Sequence, residues 1–156
     1  MKRPGDVVEQ LERVVFLTLV LLASAAAAAD RGERVVIDTP NAPAAQGPYS
    51  QAIKYGGLLF IAGQVPIDPV TKQWVKGKIE EQTRRVLENI KAILAANGMT
   101  MANVLSTTVY LRDFGEFQRM NAVYAEYFTV EPPARVTVPS PLPGEMLIEI
   151  SAVAGR

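Results

Sequence analysis

Residues 79–94 read IEEQTRRVLENIKAIL. Ile79, Thr83, Val86, Leu87, Ile90, Ile93 and Leu94 recur at the spacing of one helical face, while Glu80, Glu81, Arg84, Arg85, Glu88 and Lys91 fall on the other. The pattern predicts an amphipathic helix lying on a core, stopped by Asn97-Gly98. Upstream, residues 51–55 and 58–62 flank Gly56-Gly57, which predicts a hairpin closed by a tight Gly-Gly turn. Residues 35–37 (VVI) form a short β-branched run, residues 41–50 (NAPAAQGPYS) read as loop, and 68–72 (DPVTK) as a turn. Downstream, 104–111 (VLSTTVYL) predicts a strand, and Asp113 caps a second helix from Gly115 to about Thr129. Glu131-Pro132-Pro133 breaks that helix. Residues 135–138 form a short strand ended by Pro139, Pro141 and Pro143, and 147–154 the last strand. Hairpin, helix, strand, helix, strand, strand is the order of an α+β domain with both helices on one face of a mixed sheet. The other face then wants a partner, so an oligomer is expected.

Composition narrows the chemistry. The 156 residues are 49% hydrophobic and 21% charged, the balance of one globular domain with a real core. The chain has no Cys and no His, which removes disulfides, thiolate and imidazole metal sites, and every triad built on either residue. No metal site is expected. General acid–base work falls to Asp, Glu, Lys or Tyr. A net charge of zero offers no field for gathering nucleic acid.

Residues 14–29 (VVFLTLVLLASAAAAA) are uncharged and end in Ala27-Ala28-Ala29 before Asp30. The run is short for a membrane span and fits a secretory signal cleaved near Ala29. Residues 1–34 are therefore set apart from a domain at 35–156, and export to the periplasm is expected, with a cytoplasmic protein as the alternative. Against a signal stands the mixed charge of the leading segment, Lys2, Arg3 and Arg13 beside Asp6, Glu9 and Glu12. No membrane partner is expected beyond this signal or an anchor.

Three polar residues stand out. Arg135 and Thr137 share one face of their strand and Val136 and Val138 the other. With the valines on the core side, Arg135 faces solvent or a cleft, and its planar fork suits a carboxylate. Glu149 alternates with Ile148 and Ile150, and would share a face with Arg135 if the two strands are neighbours. Asn121 puts an amide on an apolar stripe with Phe117 and Tyr124, where it needs a hydrogen-bond partner. The pattern alone leaves open a solvated arginine, a structural or exposed acid, and a satisfied core amide.

Five stretches go further: 45–52 (AQGPYSQA), 60–66 (FIAGQVP), the helix positions Gln82, Leu87, Asn89 and Ile90, 107–114 (TTVYLRDF), and Pro133-Ala134-Arg135 followed by Ile148-Glu149-Ile150. Together, in order over residues 35–156, they resemble the reactive-intermediate deaminase family (Rid, YjgF, RidA-like or L-PSP). The resemblance implies a chorismate-mutase-like fold and a homotrimer with active sites between subunits. It implies cofactor-independent hydrolysis of enamines and imines, 2-iminobutanoate and 2-iminopropanoate, to 2-oxoacids and ammonia. The alternative is a trimer that binds a small carboxylate without turning it over, as a sensor or chaperone. Carried over, Arg135 would bind the carboxylate and Glu149 would activate water. Gly63 and Thr137 would orient the substrate through their backbone, and Tyr49, Phe117 and Asn121 would line the pocket. Thr137 stands where many members carry Cys, and the proline-rich segment after Arg135 is shorter than the family pattern.

Overall fold

The computed structural model describes residues 32–156, so residues 1–31, with the signal-like run and its cleavage site, lie outside the described residues. Arg34–Arg156 form one compact unit. Its strands are β1 (Val35–Ile37), β2 (Ala52–Tyr55), β3 (Leu58–Gln64), β4 (Val104–Leu111), β5 (Ala134–Pro139) and β6 (Ile148–Gly155). Helices α1 (Ile79–Ala96) and α2 (Phe117–Tyr127) complete it. Among the described residues no helix is long and apolar enough to cross a membrane.

The long helix forms as its pattern requires. The Glu81 carboxylate accepts the backbone N–H of Lys78 at 2.9 Å, satisfying a donor just before the first turn. At the far end Gly98 takes φ +64° and the Met99 N–H returns to the Leu94 carbonyl. Val86, Leu87, Ile90, Ile93 and Leu94 are fully buried, each contributing roughly 1.5–3 kcal/mol by leaving water. The Gly56-Gly57 turn has both residues at positive φ, the conformation whose twist matches a two-residue hairpin. The second helix begins later than the sequence suggests. Asp113 accepts the Gly115 N–H at 2.8 Å, but Phe114–Glu116 is a 3₁₀ turn, and the α-helix proper starts at Phe117.

The sheet is mixed, in the order β1-β2-β3-β6-β4-β5. Only β4 and β5 run parallel, joined through α2, and the last strand inserts between β3 and β4. Thus β6 does not neighbour β5, the condition on which Arg135 and Glu149 were expected to share a face. β4 lies between them.

The register fixes which side each residue faces. Ala52, Ile61, Ala152, Thr107 and Arg135 form one row across five strands, and the first four are buried. Arg135 is the last member of that row, on the side where the core lies. Glu149 pairs with Tyr110, which pairs in turn with Val138, and this row belongs to the open face. There Phe60, Leu105, Val136 and Val138 are exposed. The expected alternation in β5 is present, but its sense is inverted: the valines face outward, and Arg135 and Thr137 are half-buried on the inner side. An edge strand whose outer side is apolar has the composition of a surface that expects cover.

Candidate functional site

The first cluster surrounds Arg135. Its guanidinium carbon lies 4.6 Å from the centroid of the Tyr124 ring and 5.6 Å from that of Phe117. Among the described residues these two rings are its partners, and no carboxylate neutralises it. Each ring is backed by another aromatic: Phe114 stacks on Phe117 at 5.0 Å, and Phe128 lies 4.5 Å from Tyr124. Asn121 lies between Phe117 and Tyr124 on the same helical stripe, and its buried Oδ1 has no hydrogen-bond partner among the described residues. A buried acceptor left open costs about 1–3 kcal/mol, a cost that a bound donor would remove. Thr137 is half-buried two residues along β5 on the same side as Arg135.

A second cluster sits on the open face. The Glu149 side chain lies directly over the Gly63 backbone: a Cβ at position 63 would stand 2.8 Å from Glu149 Cδ and closer still to its carboxylate oxygen. Gly63 occupies the bulge where β3 shifts register against β6, which is how the backbone reaches a carboxylate without a side chain between them. Burial pushes the Glu149 carboxyl above the ordinary carboxylate range. Tyr49 lines a small recess together with Gly63, and its hydroxyl accepts the Gln46 N–H at 3.0 Å. On its other side Tyr49 borders an open hollow of about 580 Å³ with Phe60 and Arg34.

The expected site residues therefore separate into two groups within one chain. Phe117, Asn121, Arg135 and Thr137 are on the inner side at the β5 edge, and Tyr49, Gly63 and Glu149 are on the open face. A cation with donors to spare and a carboxylate with raised proton affinity are complementary parts for work on a small acid. Sequence reasoning missed Tyr124 and its neighbour Thr107, whose hydroxyls share a 2.8 Å hydrogen bond beneath Arg135. The signal was the helical stripe itself, in which Tyr124 follows Phe117 by two turns.

A family model described as Endoribonuclease L-PSP matches residues 39–155. A RutC family protein of Pyrococcus horikoshii is 61% identical over 120 residues, covering 76% of this chain and 95% of the relative. The chain belongs to the Rid/YjgF family. Another member, Reactive Intermediate Deaminase A of the Arabidopsis thaliana chloroplast, is 41% identical over 133 residues, 85% of this chain and 71% of that protein. Among solved structures, Escherichia coli TdcF with bound serine matches at a TM-score of 0.75 and 35% identity, covering 78% of this chain and 98% of that one. The mixed sheet with two helices on one face is thus the Rid fold.

Proposed function

We propose that this protein hydrolyses reactive 2-imino acids, such as 2-iminobutanoate and 2-iminopropanoate, to 2-oxoacids and ammonia, at sites assembled between copies of the chain in a homotrimer. The observation that carries the reading is the Arg135 guanidinium, which among the described residues has two aromatic rings and no carboxylate as partners, on the side of the sheet that also holds Asn121 with its unsatisfied oxygen. Such a group selects an anion with a flat, two-oxygen face. The name of the Arabidopsis relative and the serine bound by TdcF, itself an α-carboxylate, support the same direction.

The chemistry follows from the two clusters. Arg135 of one copy clamps the substrate carboxylate, so the neighbouring C=N carbon is presented to the open face of a second copy. Glu149 of that copy takes a proton from water as the water oxygen bonds to the iminium carbon. Glu149 passes that proton to nitrogen, and its carboxylate then takes the hydroxyl proton of the carbinolamine as the C–N bond breaks, giving a 2-oxoacid and ammonia, which carries the proton away as ammonium. A carboxyl with raised proton affinity is suited to both halves of this exchange. Positioning supplies most of the rate, because the electrophile is already activated.

The test is an assay with freshly generated 2-iminobutanoate, following loss of the imine. Wild type accelerates hydrolysis, and Glu149→Gln retains no more than about one hundredth of that rate. Full activity in Glu149→Gln would refute the proposed step. Binding of 2-oxobutanoate without any acceleration by wild type would mean a carboxylate-binding protein rather than an enzyme.

A further inference from the structure

Arg135 sits on an edge strand, and nothing in its own backbone fixes where a long, flexible side chain ends. What holds it is aromatic. Tyr124 presents its ring to the guanidinium at 4.6 Å, the shorter of the two ring contacts. Tyr124 in turn is anchored at both ends: its ring rests on Phe128 at 4.5 Å, and its hydroxyl bonds to that of Thr107 at 2.8 Å. Thr107 is directly opposite Arg135 in the β4–β5 register and is only 2% exposed. One sheet row therefore carries both the arginine and the hydroxyl that locks its platform.

We infer that Tyr124, locked by Thr107, is a positioning residue that holds the Arg135 guanidinium in the orientation required for a 2-imino or 2-oxo acid carboxylate. The inference rests on the carboxylate reading of the site. A cation laid over a ring keeps its in-plane N–H groups free, so the platform orients Arg135 without consuming the donors the ligand needs. A carboxylate in place of the ring would hold the side chain equally well but would occupy those donors and cancel the charge. Burial also pushes the Tyr124 phenol up, against the opposing pull of Thr107 and the arginine charge, so the platform stays neutral at physiological pH.

The experiment is calorimetric titration of the full chain with 2-oxobutanoate and with 2-oxobutanamide, the same skeleton without the negative charge. Tyr124→Leu weakens 2-oxobutanoate binding about tenfold and leaves the amide within about twofold, because the ring acts through the charge of Arg135. Tyr124→Phe, which keeps the ring, binds within about threefold of wild type. Thr107→Val, a substitution of nearly equal volume, weakens the acid about threefold and serves as the test should Tyr124→Leu fail to fold. Equal losses for acid and amide would mean a generally disturbed pocket and would overturn the inference. Unchanged affinity in both Tyr124→Leu and Thr107→Val would overturn it too. A wild-type chain that binds no 2-oxobutanoate would remove the carboxylate reading itself, and this inference with it.

Discussion

Arg135 and Glu149 lie on opposite faces of one sheet, separated by strand β4. Two strand spacings divide them across the sheet, and the step from the Thr107 row to the Tyr110 row divides them along it, roughly 10 Å in each direction. The sheet itself blocks any direct path. A single chain cannot place both groups on one small substrate, so a site using both requires two copies. The apolar open face with Phe60, Leu105, Val136 and Val138 is suited to bring them together.

The contact between Gly63 and Glu149 leaves no room for a methyl group. Gly63→Ala forces the carboxylate aside, and its activity falls at least tenfold while stability drops by about 1–3 kcal/mol. Steady-state rates together with thermal melts check this. An unaltered rate would mean that the Glu149 rotamer is unimportant.

Glu149 also sets a pH dependence. Its folded carboxyl is raised by burial, so the folded state holds the proton more tightly than the unfolded chain. The sign follows: the stability linked to that proton is complete below the unfolded pKa and is lost as pH rises through the folded one. Glu149→Gln therefore melts at a higher temperature than wild type at pH 7, and the difference shrinks toward pH 4. For the wild-type enzyme, kcat/KM falls on the acid side at a pH above the usual glutamate value, since the free base is what accepts the proton from water. Paired melts at the two pH values and a rate profile read both effects.

Asn121 makes the complementary case. Its orphaned oxygen costs the empty protein, so Asn121→Leu is expected to be neutral or to gain up to about 1 kcal/mol in stability. The same variant loses affinity for 2-oxobutanoate about fivefold, if the ligand or its water supplies the missing donor. Denaturant melts and calorimetry on one preparation check both halves.

Gln82 holds the segment leading to Glu149. Its amide donates to the Glu145 carbonyl at 3.0 Å and accepts the Leu147 N–H at 2.8 Å, with the side chain buried. Gln82→Ala strands both backbone groups and costs about 2–3 kcal/mol, measured by urea unfolding. That is far more than the loss of a solvent-screened ion pair between the two helices such as Arg84–Glu126.

Much of this architecture was legible before the structure. The stripe from Ile79 to Leu94, the Gly56-Gly57 turn and the β-branched run at 104–111 each carry a local cause, so their elements follow from spacing alone. What spacing does not contain is strand order. Nothing local tells β6 to insert between β3 and β4, so the condition for a shared face of Arg135 and Glu149, neighbouring strands, is not met, and the register sets the two on opposite faces. Alternation likewise distinguishes two sides of β5 without saying which is inner. Val136 and Val138 mark the open side because that face is apolar too, and Arg135 is left inside among aromatics. The candidate residues were legible individually, through motif resemblance. Which of them lie on the inner side and which on the open face was not, because that depends on the register of strands far apart in the chain.

The most direct test of that division is subunit mixing. Arg135→Ala and Glu149→Gln chains, each nearly inactive alone, are unfolded together in equal amounts and refolded so that copies exchange at random. A site shared between two copies is intact whenever an Arg135 donor meets a Glu149 donor, so activity on 2-iminobutanoate recovers to about one quarter of wild type. Recovery no higher than either parent alone, with mixed oligomers demonstrated by mass, would contradict a site built from both faces.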